Sequence, residues 1–244
     1  MADRFYTPHP LALGDVTLDG PEAHHLSNVR RFEPGDAVTL FNGDGREYAA
    51  EVVAVDRKRA TLHVRAVLDL SRESPVNLTV ASALPKGDRA DYLVEKLTEL
   101  GATHFVPLVT VRSVVVPKAS TVEKLARVVI EASKQCGRNR LMTVAPPMPW
   151  RDFLSDRNGV QLILHTSGGG PVAPPSSAVG VTVAVGPEGG FTPEEVAAAL
   201  EAGRAVLSLG PRVLRVETAA VAAAAWVQSH FLDRAAPPAE SVLG

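Results

Sequence analysis

Cysteine is almost missing from this 244-residue chain: Cys136 stands alone, so an intrachain disulfide is impossible and a cysteine-rich metal site is excluded. Cys136 reads as a small buried hydrophobe rather than a catalytic thiol. Aromatic residues are scarce at 5%, and neither sign of charge dominates, with 25 Lys and Arg against 27 Asp and Glu. A formal net charge of -2 argues against indiscriminate binding to polyanions, so any contact with nucleic acid must come from local patches. No apolar run approaches the roughly 20 residues of a membrane helix. The start, MADRFYTPHP, lacks the basic segment and apolar stretch of a secretory signal. The expectation is a cytoplasmic protein without membrane association. His24 and His25 are adjacent and point apart on either a helix or a strand, and no other histidine spacing makes a metal site, so no metal is expected. What is present is a globular composition, 45% hydrophobic and 21% charged, with room for one large domain or two modest ones.

From Val38 to Val67 the runs VTLF, YAAEVVAV and ATLHVRAV are rich in β-branched residues. Turn clusters separate them at Asn42-Gly43-Asp44-Gly45 and Asp56-Arg57-Lys58, which predicts a small antiparallel β unit. DLSRESP, residues 69 to 75, is polar and proline-terminated and suits a linker, with a domain boundary near 72. Beyond it the pattern changes. Apolar runs VNLTVASAL, HFVPLV, VQLILH, VGVTVAV and AVLSLG alternate with helical segments at 89 to 100, at 121 to 136 and between the last two runs. Such alternation predicts an α/β fold with a parallel sheet covered by helices. Ser120 with Glu123 and Thr192 with Glu195 have capping-box spacing, and Gly101, Gly137 and Gly203 stand where helices should stop. SGGGPVAPPSSA, residues 167 to 178, reads as a flexible or extended loop, and the tail from Asp233 as disordered.

Candidate chemistry concentrates at strand ends. Val185-Gly186-Pro187-Glu188-Gly189-Gly190-Phe191 follows the strand VGVTVAV and precedes the capped helix, where ligands of parallel α/β sheets bind and glycine lets a backbone approach closely. An ordinary strand-to-helix turn fits that spacing equally well. After AVLSLG, the segment Arg212 to Thr218 leads into an alanine-rich helix, and arginines just before a helix start oppose its dipole. Either Glu217 offsets them, or Arg212 and Arg215 face an anionic substrate. Lys86 and Arg89 pose the same conflict ahead of the helix at 89, with Asp88 and Asp91 as the possible neutralising partners. Arg138 and Arg140 extend the basic set but also suit a helix C-terminus. Arg30, Arg31, Arg57-Lys58-Arg59 and Arg65 are candidates for a basic patch on the small domain. Residues 1 to 72 hold nine Lys or Arg and eleven Asp or Glu, which favours a solvated mixed surface. In the final helix Ala219, Ala220 and Ala222 to Ala225 permit close approach, either within the core or across a dimer.

Seven blocks in order, RFY, HHLSNVRR, KGDRADYLVEKLTELG, RSVV, EASKQCGR, VGPEGGFTPEE and LGPRVLRVETAA, resemble the RsmE family. These are the uracil-N3 methyltransferases of 16S ribosomal RNA within the SPOUT superfamily. The resemblance covers nearly the whole chain and implies a PUA-like RNA-binding β-barrel at 1 to 72 and a SPOUT methyltransferase domain at 73 to 234. It further implies a C-terminal trefoil knot and a homodimer, with residues 235 to 244 left as the expected disordered tail. S-adenosylmethionine is the implied cofactor, held by Thr166, Gly186, Pro187, Glu188, Gly189, Gly190, Leu209, Gly210, Val213, Leu214, Arg215 and Thr218. The implied partner is 16S ribosomal RNA or the 30S small subunit, with Arg4, Arg30, Arg31, Lys86, Arg89 and Arg138 as RNA contacts. Arg215 is the candidate to stabilise charge on the uracil ring, and Glu217 or water the candidate proton acceptor. Val213 and Val216 stand where the family usually has isoleucine and threonine, and the loop after His165 is atypically rich in glycine and proline. Two other readings are a related SPOUT enzyme acting on ribose 2'-hydroxyls or transfer RNA, and a noncatalytic RNA-binding or assembly protein of this fold.

Overall fold

The structure, a computed structural model, describes residues 3–29, 31–56, 58–155, 158–166 and 177–231, with the side chains of Asn28 and Val29 set aside. Arg30, Arg57, most of the loop expected at 167 to 178 and the tail lie outside the described residues. The chain divides into two compact units, Met1–Glu73 with Ile130–Leu141, and Ser74–Val129 with Met142–Gly244.

In the first unit, the β-branched runs become strands β3 (Ala37–Phe41), β4 (Glu47–Val55) and β5 (Arg59–Leu68), paired antiparallel in series. Their turns are made by side chains. Asn42 Oδ1 accepts from the Asp44 N–H at 3.1 Å, and Asp56 Oδ1 accepts from the Lys58 and Arg59 N–H groups at 2.7 and 2.8 Å. Periodicity did not single out two flanking strands, β1 (Arg4–Tyr6) parallel to β3 and β2 (Gly14–Asp19) antiparallel to β5. The sheet order is β1-β3-β4-β5-β2. Helix α1 (Gly20–His24) runs into a π-helical turn at His25–Val29. Phe5, Leu26, Leu40, Tyr48 and Leu62 form the core of this unit.

The second unit is built on a parallel sheet of β6 (Asn77–Ser82), β7 (His104–Val109), β8 (Thr143–Val144), β9 (Met148–Pro149), β10 (Val160–Leu164), β11 (Gly180–Val185) and β12 (Ala205–Leu207). Its order is β12-β10-β11-β6-β7-β8, with β9 also against β7, and every pairing is parallel. Helices α2 (Arg89–Glu99), α3 (Ala119–Cys136), α4 (Trp150–Phe153), α5 (Pro193–Glu201) and α6 (Val216–Ser229) complete the fold. Gly101, Gly137 and Gly203 end α2, α3 and α5 with φ of 77°, 82° and 84°, as the helix-stop reading requires. Thr192 and Glu195 form the expected capping box on α5. Ser120 and Glu123 do not form one on α3. The helix begins at Ala119 because the N–H groups of Thr121 and Val122 already donate to the Lys118 carbonyl, which places Ser120 inside the first turn. Ala219, Ala220, Ala223 and Ala224 are buried within this chain, where α6 packs on α2, β6 and β11. Cys136 is only partly buried, at the end of α3. Among the described residues no helix is long and apolar enough to cross a membrane.

Candidate active site

Strands β12, β10 and β11 are neighbours and parallel, so their carboxyl ends open on one edge of the sheet. The loops that leave those ends meet around a cavity of about 370 Å³. Leu164, His165 and Thr166 follow β10; Val185 to Phe191 close β11; Leu209, Gly210 and Arg212 to Leu214 follow β12. Val216 and Ala219 of α6 add apolar floor, and Arg112, two strands away after β7, completes the rim. This is the place at which open α/β sheets bind ligands, and the size is that of a small-molecule site.

The glycine-rich turn is held from inside and outside. Gly190 donates its N–H to the Pro187 carbonyl at 2.8 Å and has a φ of 68°, a left-handed conformation that favours glycine. At Gly186 a Cβ would stand 3.1 Å from the Phe191 nitrogen, so the backbone there folds back on itself too closely for a side chain. Phe191 is buried and its ring lies 4.6 Å from that of Trp150, which anchors the turn to the core. Beyond it, Thr192 Oγ1 accepts the Glu195 N–H at 3.2 Å, and Glu195 Oε2 accepts the Thr192 N–H at 2.9 Å. The Glu194 carboxyl is held below its usual range by its own N–H and the Thr192 hydroxyl, with the Arg112 charge adding to them.

The turns around Glu188 and Arg215, remote in sequence, are thus brought to one place: Glu188, Val213, Leu214 and Val216 line the same cavity. Ten of the residues expected around the cofactor do so, namely Thr166, Gly186, Pro187, Glu188, Gly189, Gly190, Leu209, Gly210, Val213 and Leu214. Val213 is 84% exposed. Arg215 and Thr218 are not among the lining residues; both are exposed in the first turn of α6, where Arg215 is the N-cap and makes no side-chain cap bond.

Glu217 is not poised at the cavity as a proton acceptor. It is 7% exposed, its Oε1 lies 3.6 Å from Arg89 Nη1, and Oε2 is buried with no hydrogen-bond partner among the described residues. Arg89 also lies 3.5 Å from Glu188 Oε1, so the cation at the start of α2 is neutralised by these two glutamates. Asp91 pairs instead with Lys124 at 2.6 Å. Two of the expected RNA contacts are buried against other groups of the first unit. Arg4 and Arg138 are 8% and 4% exposed. Arg4 donates to Glu47 at 2.6 Å, to Asn139 Oδ1 at 2.7 Å and to the Arg138 carbonyl at 3.1 Å, while Arg138 donates to Glu73 at 2.5 and 3.1 Å. These guanidinium groups hold the first unit together. Arg31 and Lys86 are exposed, Arg31 with a left-handed φ of 54°. Among the described residues no group of three potential metal ligands occurs.

Sequence reasoning gave Arg112 no role, although it stands in the quoted RSVV block directly after a strand of the parallel sheet. The strand-end rule applied to HFVPLV would have marked it.

A family model described as an RNA methyltransferase domain matches residues 72–228, and one described as an RNA methyltransferase PUA domain matches residues 18–65. The second unit is thus a parallel-sheet α/β methyltransferase domain, and the first carries the PUA-domain match. The chain is 31% identical over 91% of its length to the ribosomal RNA small subunit methyltransferase E of Synechocystis sp., of which it covers 75%. It is 32% identical over 83% of its length to the protein of that name from Bacillus subtilis, covering 85% of it. The crystal structure of a ribosomal RNA small subunit methyltransferase E from Neisseria gonorrhoeae bound to S-adenosyl methionine superposes with a TM-score of 0.89 at 33% identity, covering 95% of this chain and 98% of that one. The chain belongs to this family of RNA methyltransferases, the RsmE family.

Proposed function

We propose that the chain binds S-adenosylmethionine in the cavity at the ends of β10, β11 and β12 and methylates N3 of a uridine in 16S ribosomal RNA. The observation that carries this reading is the convergence of three strand-end loops on one cavity, in a chain whose relative from Neisseria gonorrhoeae is bound to S-adenosyl methionine. The residues suit the cofactor. Leu209, Leu214, Val216 and Phe191 offer apolar surface for an adenine ring, and the backbone at Gly186 leaves no room for a side chain but lies open to the cavity. Glu188 and Arg212 offer charge of both signs for an amino-acid end.

When bound, the cofactor supplies a methyl group already activated on a positive sulfonium. The chain's own task is to hold a uracil ring at the mouth of the cavity, exclude water and favour loss of the imide proton. Arg215 is our candidate for stabilising negative charge on the ring, since it is exposed next to Leu214 and Val216, which line the cavity. Glu217, buried against Arg89, is assigned to fixing that arginine and, through it, Glu188. Water is left as the proton acceptor. The remaining parts of the reading follow the family resemblance: a homodimer, a trefoil knot at the three convergent loops, RNA held by the PUA-like unit through Arg31, Lys86 as a separate RNA contact of the second unit, and a cytoplasmic location set by a ribosomal substrate.

Incubation of the protein with labelled S-adenosylmethionine and either naked 16S RNA or small subunits lacking the modification tests the proposal. Label should appear in one RNA nucleoside and, after digestion, on the uracil base. Label on the sugar would move the chain to the ribose-methylating readings, and no label with no cofactor uptake would leave an RNA-binding protein. Arg215→Ala should retain cofactor binding and lose most methyl transfer; unchanged turnover removes Arg215 from the mechanism.

A further inference from the structure

The segment Thr110 to Ser113 after β7 is a tight turn closed by its own side chains. Ser113 donates its N–H to the Thr110 carbonyl at 3.1 Å, and Ser113 Oγ accepts the Thr110 N–H at 2.9 Å. Val111 and Arg112 occupy its tip. From there Arg112 Nη1 donates to the Gly189 carbonyl at 2.6 Å and reaches the Phe191 carbonyl at 3.5 Å. Its stem covers the face of Gly189, where a Cβ would come within 3.2 Å of Arg112 Cδ. The neighbouring Val111 N–H donates at 2.9 Å to Oε1 of Glu195, the same buried carboxylate that caps α5 through Oε2.

Glycines at 186, 189 and 190 let the turn adopt its shape, but they give the backbone many other shapes in solution. Core packing restrains Phe191, and the capping box restrains Thr192. The Gly189 carbonyl, between those two anchors and the glycines before it, accepts the charge-assisted bond from Arg112.

We infer that Arg112 is a positioning residue, which sets the Gly189–Phe191 backbone in the form that meets the cofactor and thereby sets cofactor affinity. The effect on affinity rests on the S-adenosylmethionine reading above; the restraint on the turn does not. Arg112→Met keeps the stem and removes the donors, whereas Arg112→Lys keeps one charged donor. In ligand-free protein, hydrogen exchange at the Gly190 amide should quicken about tenfold in Arg112→Met, the factor of one charge-assisted hydrogen bond. The Kd for S-adenosylmethionine by calorimetry, and the KM for it, should rise by a similar factor. At saturating cofactor kcat and the KM for RNA should stay close to wild type, and Arg112→Lys should recover part of each loss. Thermal melts should barely move, because the side chain is exposed. Unchanged exchange and Kd in Arg112→Met would overturn the inference. So would a raised KM for RNA with an unchanged KM for cofactor, which would make Arg112 an RNA contact. Wild-type protein that takes up no S-adenosylmethionine would sink the proposed function, while the exchange measurement would still decide whether Arg112 restrains the turn.

Discussion

Arg4 and Glu47 show how far residue type can mislead about place. Both look like surface charges in the sequence, yet their side chains are 5% and 9% exposed, and Arg72 joins Glu47 from the other side. Burial opposes ionisation of Glu47, but hydrogen bonds from Arg72 and Arg4, together with their charges, prevail and hold its carboxyl below the usual glutamate range. A carboxyl held low in the folded state contributes stability that is complete above its unfolded pKa and is lost as pH falls through the folded value. Glu47→Gln leaves the buried Arg4 without its counter-charge, and urea melts at neutral pH should show a loss of about 3 kcal/mol. The gap to wild type should narrow as the melts are repeated from the ordinary glutamate range downward. A gap that ignores pH would mean that shape rather than charge holds this contact.

At the scale of elements, local signals were read well where the backbone itself supplied the partner. The boundary of α5 was legible because Thr192 and Glu195 satisfy one another's N–H groups within four residues. The same spacing at Ser120 and Glu123 made no cap, because the Lys118 carbonyl had already started α3. Thr192→Ala should therefore cost about 1 kcal/mol in chemical denaturation, while Ser120→Ala, at an exposed position inside a helix, should fall within about 0.5 kcal/mol. Equal losses would show that both spacings cap in solution. Strands β1, β8 and β9, of three, two and two residues, are too short to show a period, and in β2 the apolar and β-branched residues are only Val16, Thr17 and Leu18, set between aspartates.

For the whole molecule, the first unit is discontinuous in sequence. It takes in Ile130–Leu141, from which the Arg138 carbonyl and Asn139 side chain accept hydrogen bonds from Arg4, and Lys134 pairs with Glu22 at 2.8 Å. A fragment of residues 1–73 alone would leave the Arg4 guanidinium short of acceptors and lose the Lys134 ion pair of Glu22. We expect it to lack a cooperative thermal transition by circular dichroism. A sharp transition would show that the five strands suffice.

By itself the chain's order of residues determined the alternation of strands and helices, the glycine stops and the family, since each depends on neighbours a few positions apart or on blocks kept in order. It also marked the glycine turn and the loop before α6 as candidates. Only the tertiary structure put those two loops around one cavity, brought Arg112 to its rim and buried Arg4, Arg138 and Glu217. Strand order is set by how sheets and helices pack across the chain, and a charge becomes internal only when distant segments close over it.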